Sequence, residues 1–114
     1  MTMSDTTNLY NDADINQAAQ CLKAMSNPLR LKILCVLGAK AVSVQAIVDL
    51  VGTSQSNVSQ HLAILREKNI VDFKKEANRV YYFIDDKRVL QLIDKMRDTF
   101  CTQAHWAVRR TLTL

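Results

Sequence analysis

The chain has 114 residues, 48% hydrophobic and 23% charged, with two glycines and one proline. That length suits one domain around one core; the scarcity of glycine and proline points to helix, and no run approaches the roughly 18 apolar residues of a membrane span. Fifteen Lys and Arg against eleven Asp and Glu leave +4, with Asp5, Asp12 and Asp14 all near the N-terminus, so the remainder is basic enough to suit a polyanion without requiring one.

Residues 1–13 are polar, acidic and unpatterned, and are expected to form a flexible tail. Asp14 then reads as a helix cap with Gln17 as its capping-box partner, and Ile15, Ala18, Ala19 and Leu22 mark one face of a first helix running to about Met25. Asn27 caps a second helix with Pro28 at its first position, where a missing N–H costs nothing, and Leu31, Leu34, Cys35 and Gly38 line its face. Ser43 caps a short third helix carrying Val44, Ile47, Val48 and Val51, which Gly52 ends in the left-handed conformation. Thr53 and Ser54 restart the chain, Val58, Leu62 and Leu65 form a buried stripe, and the helix ends near Asn69. Two short helices joined by so tight a turn are a helix-turn-helix.

Beyond it the period changes to two. Residues 70–75 and 79–84 are β-rich, and Glu76, Ala77 and Asn78 have the length of a hairpin loop, which gives a hairpin with a basic tip. A last helix starts after Asp85 and Asp86 and runs past Phe100, with Val89, Ile93, Met96 and Phe100 on one side. The fold class is mainly α with a small β-hairpin, in the order α-α-α-α-β-β-α of a winged helix-turn-helix. The expected organisation is an N-terminal tail (1–13), one winged-helix domain (14–104) and a C-terminal tail (105–114).

The stretch GTSQSNVSQHLAILREKN carries the chemistry. Exposed helix faces ordinarily use Glu, Lys and Arg, which are better helix formers than Ser and Asn, yet charge is absent from Thr53 to Leu65. A merely solvated core helix is the plainer explanation. The element order favours the other one: Gln and Asn can pair bidentately with adenine in a major groove, and Ser reaches phosphates or bases. The expected DNA-contacting residues are therefore Ser54, Gln55, Ser56, Asn57, Ser59, Gln60 and His61, with Lys74, Lys75 and Arg79 of the hairpin reaching neighbouring phosphates. His61 has no nucleophile or orienting partner in pattern, so a phosphate contact or packing beneath the hairpin suits it better than catalysis.

Cys21, Cys35 and Cys101 form no CxxC or CxC pair, which removes a disulfide framework and a zinc ribbon. MTMSDTTNLYNDAD lacks the basic and apolar regions of a signal peptide. A cytoplasmic setting with free thiols and no membrane partner is expected. No phosphate loop, triad signature or paired carboxylates support an enzyme, and no cofactor is implied.

Three segments, KAMSNPLRLKILCVL, SQSNVSQHLAILREKNIV and RVYYFI, together resemble the ArsR/SmtB family of dimeric winged-helix repressors over residues 17–101. The resemblance implies a homodimer built from the first and last helices, bound to double-stranded DNA at an inverted-repeat operator and released by an inducer. Its recognition helices would lie about 34–36 Å apart. The CxC metal motif that many members carry before the turn is missing, since residues 45–50 read QAIVDL. Asp94, Asp98, Cys101 and His105, spaced four, three and four, leave open a metal-responsive repressor with ligands on the last helix; the plainer account is a solvated helix edge with a chance cysteine.

Cys35 and Cys101 fall where the sulfide- and redox-responsive branch of the family carries its thiol pair. By that resemblance they would lie near each other in one subunit, and reactive sulfur or oxygen species would join them by a disulfide or polysulfide bridge. The alternative for Cys35 is simple packing as a small hydrophobe, as for Cys21. A winged helix serving purely as a protein-interaction module is a further reading, and a steep salt dependence of DNA binding would oppose it.

Overall fold

The computed structural model describes residues 11–101; residues 1–10 and 102–114, with the expected C-terminal tail and His105, lie outside the described residues. Eight elements follow in order: α1 (Asp12–Met25), α2 (Pro28–Leu37), β1 (Val42–Ser43), α3 (Val44–Val51), α4 (Gln55–Glu67), β2 (Asp72–Glu76), β3 (Arg79–Phe83) and α5 (Lys87–Phe100). This is a winged helix-turn-helix. Among the described residues no helix is long and apolar enough to cross a membrane.

Caps set most of the boundaries. Asn27 Oδ1 accepts from the N–H groups of Leu29 and Arg30 ahead of Pro28, and Ser43 Oγ from that of Ala46, as expected. The first cap differs: Asn11, not Asp14, accepts from Ala13 and Asp14, so α1 begins at Asp12, inside the stretch read as tail. Asp14 sits in the first helical turn, where its charge still suits the positive end of the helix.

The core gathers Ile33, Leu34 and Leu37 of α2, Ile47 of α3, and Val58, Leu62 and Leu65 of α4, all fully buried. Each such side chain contributes about 1.5–3 kcal/mol. Ile93 is the one fully packed anchor of α5 among the described residues, whereas Phe100, on the expected inner stripe, is 69% exposed. The expected face of α1 is also turned outward: Ile15 and Leu22 are each 53% exposed. On α2 the buried stripe is shifted, leaving Leu31 and Cys35 half-buried.

The hairpin is shorter than its β-rich sequence. Ile70 and Val71 are buried core residues placed before β2, because α4 ends at Glu67 and Asn69, at φ 59°, turns the chain inward. Glu76 pairs with Arg79, so the turn has two residues, Ala77 and Asn78, with Ala77 at φ 55°. A third strand also escaped the sequence reading. Val42 and Ser43 pair antiparallel with Tyr82 and Tyr81, giving a sheet of order β1-β3-β2 that fastens the hairpin to the entrance of α3.

Candidate nucleic-acid interface

The turn between α3 and α4 is built from short polar residues with defined tasks. Gly52 takes the left-handed conformation at φ 77°, its N–H donating to the Val48 carbonyl at 3.0 Å. Ser54 caps α4, its Oγ accepting from the Asn57 N–H at 3.1 Å, and Thr53 Oγ1 accepts from Asn57 Nδ2 at 3.2 Å. Lys32 of α2 donates to the Val51 carbonyl at 3.2 Å, tying the turn to the core helix. The N–H groups of Gln55 and Ser56 are left at the positive front of α4, where an anion is favoured.

With Val58, Leu62 and Leu65 fixed inward, helical geometry sorts the polar residues of α4 into strips. Ser56 and Gln60 stand outermost and exposed. Gln55 and Ser59 face the hairpin across a groove of about 710 Å³ whose other walls include Ser43, Gln45, Asn78 and Arg79. Asn57 and His61 lie on the opposite flank, both half-buried, His61 against Arg30 of α2. Two of the expected contacts are thus partly occupied: the Ser54 hydroxyl by capping, and the Asn57 amide by Thr53.

His61 Nδ1 meets Arg30 Nη1 of α2 at 3.0 Å, and Arg30 Nε donates to the Ala24 carbonyl at the end of α1. Packing beneath the hairpin does not occur, because the hairpin adjoins the other flank. Arg30 was not legible as a site residue; it lies 31 positions from His61, and no local spacing announces a pair so far apart.

On the hairpin, Lys74, Lys75 and Arg79 are all exposed. The register Lys74↔Tyr81, Lys75↔Val80, Glu76↔Arg79 sets Lys74 and Arg79 on one face and Lys75 on the other. Lys74 Nζ also lies 3.5 Å from Glu76 Oε1. At the base of the hairpin, Arg66 of α4 lies over the Phe73 ring at 4.1 Å and 3.8 Å from Asp72, and Phe73 packs against Tyr82 at 5.6 Å between ring centroids. These contacts join α4 to the base of the hairpin.

The two singled-out thiols share a neighbourhood at the junction of α2 and α5. Burial pushes the Cys35 thiol above its ordinary value of 9.0; nearby Arg97 pulls it back, and Cys101 and Asp94 push it further up. Charges at Cys101, Arg97 and Asp94 are therefore close enough to be felt at Cys35. Cys101 caps α5, is exposed, and its Sγ lies 3.8 Å from Met96 Sδ. Cys21, half-buried on α1, accepts from Gln17 Nε2 at 3.8 Å.

Among the described residues no three His, Cys, Asp or Glu side chains could hold an ion; His105 of the alternative metal set lies outside them. Asp94 and Asp98 instead border a shallow depression with Lys95.

Comparison with known proteins gives concordant findings. A family model described as "Bacterial regulatory protein, arsR family" matches residues 27–72. The HTH-type transcriptional regulator YgaV of Escherichia coli is 39% identical over 90 residues, covering 78% of this chain and 91% of that protein. The structure of HlyU from Vibrio cholerae superposes with a TM-score of 0.76 at 36% identity, over 80% of this chain and 99% of that one. The homodimeric winged helix-turn-helix DNA-binding domain of Mb0332 from Mycobacterium bovis gives 0.70 at 30% identity, over 75% and 79%.

Proposed function

The chain belongs to the ArsR family of bacterial regulatory proteins, and from that premise we propose that it is a homodimeric repressor whose hold on double-stranded DNA is released when Cys35 and Cys101 become bridged. The relatives are transcriptional regulators, so the outcome of binding is control of transcription rather than catalysis. A dimer seated on an inverted repeat occludes the promoter while its thiols are reduced.

The observation that carries the DNA reading is the uncharged, exposed head of α4. Gln55, Ser56, Ser59 and Gln60 are open to solvent beside Arg79. Gln amides and Ser hydroxyls can read base edges, while Arg79, Lys74 and Lys75 meet phosphates. Support for the dimer comes from the outward apolar residues of α1 and α5, including Ile15, Leu22 and Leu92 at 53%, 53% and 47% exposure, and from the homodimeric neighbour.

For the switch, support comes from the influence of Cys101 felt at the Cys35 thiol, from the packing of α5 on α2, and from the unequal exposure of the two cysteines. Exposed Cys101 meets a dissolved oxidant first. Its thiolate attacks a polysulfide sulfur, forming a persulfide and expelling the shorter sulfide, or attacks a peroxide, forming a sulfenic acid and releasing hydroxide that becomes water. The Cys35 thiolate, having lost its proton to solvent, then displaces hydrosulfide or hydroxide and closes the disulfide. Each closure moves two electrons from the thiols to the oxidant. The bond draws the end of α5 onto α2, and a coupling of about 1–3 kcal/mol suffices to change operator affinity several-fold or more.

The test is a gel shift on the DNA upstream of the gene, with reduced protein and after polysulfide or peroxide. Cys35→Ser is expected to bind DNA as wild type does and to ignore the oxidant. A Cys35→Ser protein that is still released overturns the switch while leaving the DNA reading in place.

A further inference from the structure

Arg30 joins three helices: it belongs to α2, its Nε donates to the Ala24 carbonyl that closes α1, and its Nη1 meets His61 Nδ1 in α4 at 3.0 Å. Chemistry fixes the direction of that last bond. A guanidinium has N–H donors and no acceptor, so Nδ1 must offer its lone pair. The neutral imidazole then carries its single proton on Nε2. Lys23 and Lys68 border the same cleft as Arg30.

The other ring nitrogen is accessible. Among the described residues Nε2 has no hydrogen-bond partner, and no buried side-chain nitrogen or oxygen is left unpaired. In a half-buried ring, an unpaired nitrogen that is not sealed in must open to solvent. His61 itself lies on the α2 flank of α4, one turn beyond Asn57.

We propose that Arg30 is a positioning residue that locks His61 as the Nε2–H tautomer, and that this N–H donates to a phosphodiester oxygen of the DNA strand bordering the groove on the α2 side. The proposal rests on the DNA-binding reading of α4 and deepens it. A donor on the flank of a groove-bound helix meets the strand backbone, whereas the outermost strip meets base edges. His61 therefore contributes a hydrogen bond without contributing a charge, which sets it apart from the lysines of the hairpin.

Two measurements test this. In free protein, the imidazole nitrogen spectrum of His61 is expected to show, for the neutral ring, a bare Nδ1 and an Nε2 that carries the proton, and Arg30→Met to give a mixture of tautomers. Identical spectra in both proteins overturn the locking. On duplex DNA from upstream of the gene, His61→Ala is expected to weaken binding about tenfold or more, as for a lost hydrogen bond to a charged acceptor. His61→Gln, which retains an N–H near the position of Nε2, recovers most of the loss, and His61→Asn does not.

The salt dependence of binding should keep its slope in His61→Ala, whereas Lys75→Ala, which removes one phosphate contact from each protomer of the dimer, lowers the slope by about 1.8. The double variant Arg30→Met, His61→Ala should bind no worse than His61→Ala, because one residue acts through the other. Additive losses, or a reduced salt slope in Arg30→Met alone, would show Arg30 itself on the phosphate and overturn the assignment. Wild-type protein that fails to retard the DNA while giving the expected tautomer spectrum removes the DNA reading and the phosphate contact with it, but not the Arg30 lock.

Discussion

Gly52 closes α3 at φ 77°, and nothing lies within 4 Å of the position a Cβ would occupy. Space is therefore irrelevant there, and what glycine supplies is the left-handed backbone. Gly52→Ala is expected to cost about 1–2 kcal/mol in denaturant unfolding, and Gly52→Asn less, since asparagine tolerates that region. Equal losses for both would place the cause elsewhere. Cys35 shows a different residue-scale effect: burial is the largest influence and raises its thiol above 9.0, with Arg97 opposing. At neutral pH it is thus held as the thiol, and alkylation followed by mass spectrometry should label exposed Cys101 first. The midpoint for Cys35 labelling should lie above 9.0 and rise further in Arg97→Ala; a midpoint below 9.0 would contradict the burial argument.

At the scale of elements, α5 depends on its first turn. Asp86 caps it by accepting from the Arg88 N–H at 2.8 Å, and its carboxylate also pairs with the Arg88 guanidinium at 2.8 Å. The Arg88 side chain, then the Arg88 backbone N–H, hold the Asp86 carboxyl down to about 2 from an ordinary 3.8. A depressed carboxylate stabilises the folded form above its unfolded value. That stabilisation is complete above about 3.8 and fades as pH falls through about 2. Amide exchange at Arg88 and Val89 should accordingly quicken, relative to the intrinsic rate, over this window. Asp86→Asn, which keeps the cap acceptor but loses the charge, should remove the pH dependence. The hairpin is a contrasting element, because Ile70 and Val71 just before it satisfy a β pattern yet serve the core. Alternation in sequence says which residues prefer extended backbone; it does not say where a ladder partner is waiting.

For the whole molecule, α1 rests on α2 and α4 while α5 rests on α2, and both leave apolar side chains outward. In the proposed two-fold dimer these residues meet their symmetry mates, which sets the spacing of the two recognition helices. Ile15→Glu combined with Leu22→Glu is expected to give a monomer by sedimentation at micromolar concentration and to weaken DNA binding by more than any single contact variant. A stable dimer in that variant would move the interface off α1. In the proposed switch, a covalent link between α5 and α2 would act on the helix that carries Arg30, which meets His61 of α4, and Lys32, which meets the Val51 carbonyl before the turn.

The order of elements was legible because local chemistry dictates it. Asn27 with Pro28, Ser43, Gly52 and Ser54 punctuate the helices through bonds spanning two to four residues, and Val58, Leu62 and Leu65 keep a period that admits one inner face. The unusual uncharged front of α4 was legible for the same reason, as a departure from what a solvated helix uses. The two-residue strand β1, the separation of Lys75 from Lys74 and Arg79, the outward turn of Ile15 and Leu22, and the Arg30–His61 contact were decided by the tertiary structure. Each depends on what a residue meets from a distant part of the chain, and periodicity records a side chain's own face without recording what comes to cover it.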